Sequence, residues 1–361
     1  MKESTTDNQR ELMIIINPIA GTKAGSAAID MIEEEAHKLR YSIPTTDGSG
    51  HSEHHATEKA SEFLHPYHID LRFTAHGGHA TELAREAVER GYYGVIACGG
   101  DGTVNEAARG VCGSSTALGI IPLGSGNGLA RHLGVPLTIR GAFKVIAEDR
   151  ILESDYATAN GRPFFCTFGV GFDAEVTDKF AKLPGRGLKT YLKAVFEEYF
   201  RFKADTYTII CDGQRLTEQA LLVAVCNASQ YGNNAYIAPN ASIKDGLLDV
   251  TIIHHGNLLE NTFAAMDMLS GMTGKTATST TLRTPSLKII RSNGGPAHFD
   301  GEPASIEDEI DIRCHHKALH LFSTEKKHKL HAIMAPEIPF LSPIALTVRD
   351  LRFKLYNLLI K

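Results

Sequence analysis

The chain has 361 residues, a formal net charge of −5, 43% apolar residues and 22% charged residues. That length predicts two domains, or three, with enough chain to bury a sizeable core. No apolar run approaches the roughly 20 residues of a membrane-spanning helix, the polar stretch from Met1 to Arg10 holds no secretory apolar core, and mild acidity argues against a dedicated nucleic-acid binder, which would present a basic face, while leaving room for a local basic patch.

Along the chain, Leu12-Met13-Ile14-Ile15-Ile16 is a continuous apolar run closed by Asn17-Pro18 and reads as a buried strand. A helix follows over 26–40, with Ile29, Ile32, Ala36 and Leu39 in one stripe, and 42–52 is an inserted polar loop. The pattern then predicts a strand at 69–74, a helix at 79–90 stopped by Gly91, a strand at 94–98, a helix at 103–111, a strand at 117–122 and a helix from near Asn127. Such alternation implies crossover connections and a largely parallel sheet. We therefore read 11–150 as an α/β domain.

Past Ile151 the runs become short and turn-bounded, at 206–211, 221–226, 248–253, 287–291 and 310–314, with hairpin signals at Asn160-Gly161 and Asp212-Gly213. Helical stretches interrupt them near 188–200 and 258–269. The segment 151–325 is expected to be a mostly antiparallel β-sandwich or barrel-like domain. In the remainder, 326–361, Val348, Leu351, Leu355 and Leu358 repeat at helical spacing among Arg349, Arg352, Lys354 and Lys361. This extension is read as a helix packing back on the first domain, with an interfacial helix (340–361) on a membrane as the alternative.

The six cysteines, Cys98, Cys112, Cys166, Cys211, Cys226 and Cys314, include no C-x-x-C pair and mostly have apolar neighbours. They read as reduced thiols of a cytoplasmic protein. His51, His54, His55, His65 and His68 crowd one polar stretch, but no acidic or cysteine partners complete a metal pattern, so a solvated surface is expected.

The glycines that follow strand-like runs carry the most chemistry. After Cys98 comes Gly99-Gly100-Asp101-Gly102-Thr103-Val104-Asn105-Glu106, and after Pro122 comes Leu123-Gly124-Ser125-Gly126-Asn127-Gly128. Glycine lets the backbone approach a ligand closely, and a glycine loop entering a helix offers unpaired N–H groups to a phosphate. Both loops fall at the carboxyl ends of predicted strands, where parallel sheets bind ligands. One carries an aspartate, which suggests a polyphosphate with a metal. The alternative for each is a plain strand-to-helix turn. A Rossmann fingerprint is not supported, because Gly124-x-Gly126-x-Gly128 has the wrong spacing; nor is a P-loop, because Leu269 stands where the first glycine before Gly274-Lys275-Thr276 belongs.

Gly99-Gly100-Asp101-Gly102-Thr103-x-Asn105-Glu106 resembles the signature of the diacylglycerol kinase and sphingosine kinase catalytic domain. Matching in order are Asn17-Pro18-x-Ala20-Gly21, Thr74 with His79-Ala80, Ile121-Pro122-Leu123-Gly124-Ser125-Gly126-Asn127, Gly169-x-Gly171-Phe172-Asp173-Ala174, Lys244-Asp245-Gly246-x-Leu248-Asp249 and Asp300-Gly301-Glu302-Pro303. The resemblance implies an NAD-kinase-like α/β nucleotide domain, a β-rich second domain with a lipid cleft between, and ATP-dependent phosphorylation of a lipid hydroxyl. It implies that Asn17, Thr74, Gly99, Gly100, Asp101, Gly102, Thr103, Asn105, Glu106, Gly124, Ser125, Gly126 and Asn127 serve ATP, with Asp101 at the phosphates or their Mg²⁺. Glu302 matches the proton acceptor, and Asp245, with Ser242 and Leu247 through their backbone carbonyls, matches a structural metal site of bacterial members. Read without the resemblance, Asp300-Gly301-Glu302 is a turn with an exposed glutamate, and Asp245-Gly246 is a turn.

Many bacterial diacylglycerol-type kinases have G-T-x-N-D-F-A where this chain has Gly124-Ser125-Gly126-Asn127-Gly128-Leu129-Ala130, a form closer to sphingosine kinases. The implied acceptor is thus a diacylglycerol-like or sphingoid-base lipid. The alternatives are NAD as acceptor, as in NAD kinases that share the GGDGT loop, and an inactive lipid-binding module. The implied partner is a lipid at a membrane surface; peripheral membrane contact and a homo-oligomer are both compatible with the sequence.

Overall fold

The computed structural model describes residues 10–20, 26–41, 67–183, 197–198, 201–233 and 235–324. The insertion at 42–52, most of the helix expected near 188–200 and the whole extension 326–361 lie outside the described residues. The described chain divides into two units: residues through Gly124, Leu133–Glu153 and those from Leu319 form the first, and Ser125–His132 with Ser154–Ala318 form the second.

In the first unit, Leu12, Met13, Ile14, Ile15 and Ile16 are fully buried, as a strand covered on both faces requires. They lie in β1 (Arg10–Ile16), which pairs in parallel with β2 (Tyr67–Phe73) and with β3 (Gly94–Gly99); β3 pairs in parallel with β4 (Ala117–Pro122). The strand order is β4-β3-β1-β2. The helices are α1 (Ser26–Tyr41), α2 (His79–Glu89), α3 (Asp101–Val111), the single turn α4 (Gly128–His132) and α5 (Ile139–Ala147). α1 packs on β2 and α5, α5 on β4, and α2 and α3 on each other and on β3. The expected α/β alternation is present, and α5, which the sequence reading passed over, completes it.

The second unit holds most of β5 (Ile151–Ala159), β6 (Arg162–Phe164), β7 (Thr167–Gly171), α6 (Phe172–Lys182), β8 (Asp205–Cys211), β9 (Gln214–Cys226), β10 (Leu248–His254), α7 (Leu258–Ser270), β11 (Ser279–Thr284), β12 (Ser286–Ile290), β13 (Gly295–Phe299), β14 (Glu302–Ile306) and most of β15 (Glu309–Phe322). Within the unit the pairing is antiparallel. β9 is shared: Gln214–Ala220 pairs with β8, while Leu222–Cys226 pairs with β7 and also with β10. Phe168 packs against Phe164 in a tilted arrangement and edge-on against Phe299, with ring centroids 5.8 and 5.0 Å apart, in a core with Val223, Val225, Ile289 and Ile310. Both expected hairpins form, with positive φ at each central residue: 46° and 79° at Asn160-Gly161, 50° and 74° at Asp212-Gly213.

The units do not exchange at one point. The chain crosses inside the glycine loop between Gly124 and Ser125, and it re-enters the first unit at Leu319, where Leu321 pairs in parallel with Leu118 of β4. Phe322 fills the space beside Gly94, where a Cβ would stand 2.8 Å from its ring. All six cysteines are free, and burial pushes the Cys314 thiol up to about 12 and raises those of Cys98 and Cys226 well above the ordinary range, so these three stay thiols at ordinary pH.

α2 and α3 approach closely because Gly110 has no side chain: a Cβ there would meet the Ala84 Cβ at 2.4 Å and the Thr81 carbonyl at 2.9 Å. The listener for that contact is overall stability. Gly110→Ala is expected to lower it by about 1–3 kcal/mol through overpacking, measured by chemical denaturation.

Candidate active site

The parallel register brings the ends of four strands into line. Ile16 pairs with both Phe73 and Cys98, and Gly99 with Pro122. Backbone bonds continue the alignment past the strands: Thr74 N–H donates to Ile16 O (2.9 Å), Asn17 N–H to Cys98 O (3.0 Å) and Leu123 N–H to Gly99 O (2.8 Å). Asn17, Thr74, Gly99–Asn105 and Gly124 of the expected nucleotide set are therefore gathered in the first unit. The Asn17 amide donates to Thr103 Oγ1 at 2.9 Å and its oxygen accepts Ile19 N–H at 3.1 Å. A Cβ on Gly99 would fall 2.5 Å from the Thr103 side chain, and one on Gly100 would come within 3.4 Å of Gly124 Cα.

The two helices at this edge begin differently. At the start of α2, the Glu106 carboxylate accepts N–H from Gly78 (2.9 Å) and Ala80 (3.2 Å), and the Glu106 carbonyl accepts the Thr81 hydroxyl at 2.8 Å. Glu106, expected at the nucleotide, is thus engaged in capping a neighbouring helix. α3 begins at half-buried Asp101 after Gly100, which is extended (φ −86°, ψ −174°) and supplies no side-chain cap. Its first N–H groups and the positive end of its dipole have no such carboxylate from the cap position. Asn105, one turn on, is 2% exposed, and its Nδ2 is buried without a hydrogen-bond acceptor. A glycine cradle that any Cβ would narrow, an uncapped helix start and an orphaned buried donor fit a bound phosphate chain.

Ser125, Gly126 and Asn127 belong to the second unit. There the Arg131 Nε–H donates to Gly126 O at 2.9 Å, Ser229 N–H and its hydroxyl meet His132 Nδ1 at 3.2 and 3.0 Å, and Gly232 and Gly128 lie in backbone contact with Gly126 and Tyr231. Tyr231 in turn donates its hydroxyl to Asp173 Oδ2 at 2.7 Å, and His298 Nε2 meets the same oxygen at 3.0 Å. Gly169 makes room for this: a Cβ there would stand 2.2 Å from His298 Nε2.

His298 precedes the β13–β14 hairpin, whose central residues Asp300 (φ 53°) and Gly301 (φ 80°) set Phe299 opposite Glu302. The Asp300 carboxylate accepts N–H from Phe165 (2.9 Å), Cys166 (2.6 Å) and Thr167 (2.9 Å), while its own N–H donates to Thr167 O at 2.7 Å. Glu302 is half-buried and accepts Arg162 Nη2–H at 3.3 Å, and the Arg162 guanidinium lies 4.2 Å over the Phe299 ring. The Asp-Gly turn is real, but the glutamate is held rather than loose. Sequence reading gave no role to Asp300, Asp173 or Arg162; only the Asp-Gly pair and the GFDA string marked the region.

At the expected metal set of Ser242, Asp245 and Leu247, the one carboxylate, Asp245, is already engaged and does not fit a metal ion's need for free oxygens. Asp245 Oδ1 accepts Leu247 N–H at 3.1 Å, and Oδ2 is paired with the Arg283 guanidinium, which also reaches Asp249 Oδ2 at 3.4 Å. Fully buried Asp155 faces the same turn with both oxygens occupied: Oδ2 by Gly246 N–H (2.7 Å), Oδ1 by Lys317 N–H and His316 Nδ1 (2.8 Å each). Burial raises the Asp249 carboxyl, and Arg283 opposes that rise.

The first unit thus carries a glycine-headed helix start with no side-chain cap, and the second carries an anchored acidic hairpin. Residues 45–159 match the diacylglycerol kinase catalytic domain, and 167–323 match the YegS C-terminal NAD kinase beta sandwich-like domain. The "Probable lipid kinase YegS-like" of Chromohalobacter salexigens is 33% identical over 257 residues, 67% of this chain and 80% of that protein. Its namesake in Yersinia pestis is 29% identical over 246 residues, 66% and 81% of the respective chains. The chain belongs to this YegS-like lipid kinase family. A Bacillus anthracis structure titled as a diacylglycerol kinase shares the fold, with a TM-score of 0.64 at 20% identity over 88% of this chain and 97% of its own.

The Asp300 carboxylate has three backbone donors to lose. Asp300→Ala is expected to destabilise the protein by about 3 kcal/mol, because buried N–H groups lose a charged acceptor; urea unfolding against wild type measures it.

Proposed function

We propose that this chain transfers the γ-phosphate of ATP to a hydroxyl of a diacylglycerol-like or sphingoid-base lipid. The observation that carries the reading is the start of α3, where Gly100 leaves the helix uncapped beside Asp101 and the orphaned Asn105 Nδ2. Bound ATP with Mg²⁺ would supply the phosphoryl group and neutralise the charge that moves with it. The backbone at Gly99–Thr103 and the side chains of Asn17, Thr74 and Asn105 would hold the phosphates, and Asp101 would hold the metal. The loop Gly124-Ser125-Gly126-Asn127 would complete the nucleotide set.

Glu302 would take the proton of the attacking hydroxyl as its oxygen bonds to the γ-phosphorus and the bond from that phosphorus to the departing ADP oxygen breaks, and Arg162 would keep the carboxylate oriented. The glycine-loop string closer to sphingosine kinases supports a sphingoid base as one acceptor to test. Among the described residues no helix is long and apolar enough to cross a membrane, so the lipid would be met at a membrane surface. Leu258, Leu259, Leu269 and Met272, exposed on α7 and just past it, are apolar groups suited to that contact.

The test is transfer of radiolabelled γ-phosphate from ATP to mixed micelles of diacylglycerol and sphingosine, with NAD present as a rival acceptor. Labelled lipid is the expected product. Glu302→Gln is expected to lower turnover by about 10²–10⁴-fold with unfolding unchanged. Label on NAD alone, or bound ATP with no lipid labelled, overturns the reading.

A further inference from the structure

The turn at 242–249 is where this chain departs from what its motif implies. Lys244-Asp245-Gly246-x-Leu248-Asp249 has the residues of a metal-binding turn, yet a cation of the protein's own already stands on it. Arg283 comes from β11, and the β10–β11 register sets it directly opposite Asp249. From that position its guanidinium reaches two carboxylates at once, Asp245 through Nη2 and Asp249 through Nε. A planar fork with five donors suits such bridging, where a lysine ammonium would act as a point charge.

The second oxygen of Asp245 and the carboxylate of the buried Asp155 are engaged as well. Asp245 Oδ1 closes on Leu247 N–H, and Gly246, in a left-handed conformation (φ 72°), turns its N–H to the buried Asp155. The His316 ring covers Gly246, so that a Cβ there would stand 3.1 Å from Nδ1. A hydrated divalent ion needs several oxygens with lone pairs directed at one point. Here the guanidinium and backbone N–H groups engage the carboxylates that would supply the negative charge for such an ion.

We propose that Arg283 is the resident cation of this turn, and that the chain holds the turn together without a metal ion. The role is structural and independent of the reaction, so its test needs no substrate. Nucleotide-free full-length protein is unfolded by heat in EDTA and in millimolar MgCl₂ or CaCl₂, and titrated with each salt in a calorimeter. Wild type is expected to melt at the same temperature in both conditions and to show no site at the turn.

Arg283→Met leaves Asp245 and Asp249 facing each other without a cation. It is expected to melt lower in EDTA, to recover with Mg²⁺ or Ca²⁺, and to bind the ion at least about tenfold more tightly than wild type, a difference of about 1.4 kcal/mol. Adding Asp245→Asn should remove that gain. Arg283→Lys, which keeps a cation, should stay insensitive to metal and serves as the readout if Arg283→Met does not fold. Metal-dependent stabilisation of wild type that Asp245→Asn abolishes would overturn the proposal. So would a folded Arg283→Met that gains no affinity for either ion.

Discussion

A helix starts with N–H groups that nothing inside it can answer, and two helices in the first unit meet this constraint in opposite ways. α2 receives the Glu106 carboxylate on Gly78 and Ala80, so its positive end is already matched and would repel a second anion. α3 begins at Gly100 with no side-chain cap. Its pole is the one an anion can use, and the glycines around it are the residues that let an anion approach. Asp101 adds a carboxylate in the same first turn, which would repel a phosphate unless a cation lay between them. An acidic first turn also complements the helix dipole by itself, so Asp101 has a favourable place at this pole whether or not an anion is present.

The second unit solves a different problem, which is to keep one carboxylate in a fixed place on a hairpin. Hairpin tips are mobile unless something outside the turn holds them. Here Asp300 reaches back to three successive N–H groups at Phe165, Cys166 and Thr167, and the neighbouring His298 is tied to Asp173 in space that Gly169 leaves empty. Tyr231 extends the same buried polar network towards the backbone of Gly126 and Gly128. Glu302 and the second half of the glycine loop are therefore carried by one packed framework, although 175 residues separate Asn127 from Glu302 in the sequence.

Elements with a strong local signature were legible in the sequence. The buried run at Leu12–Ile16, the strand at Ala117–Pro122 and the Asn-Gly and Asp-Gly hairpins each carry their own physical reason within a few residues. What was illegible depends on partners distant in the chain. β13 and β14 are short and begin with Gly-Pro and Glu-Pro, so alternation alone does not reveal them; they exist because β7 and the Asp300 cap hold them. α6 was missed because its apolar stripe is weak and its position is set by the Gly171 turn (φ 102°). Glu106 shows the limit of motif reading: it belongs to the GGDGT string but faces the adjacent helix. The unit boundary inside the glycine loop was equally invisible, since no change of composition marks the step from Gly124 to Ser125.

Arg283 illustrates the same limit at the level of charge. A motif states which ligands one segment offers, but not which counter-charge another strand brings to them. The carboxylates of Asp245 and Asp249 repel each other across a turn closed by Gly246, and the fold must place positive charge there. A divalent ion and a guanidinium are two physical answers to that one requirement. They differ in consequence: an ion can leave with a chelator, whereas an arginine fixed opposite Asp249 by strand register is present whenever the sheet is formed. The positive charge at the turn thus comes from residue 283, thirty-eight positions from Asp245 and adjacent to it only after β10 and β11 have paired.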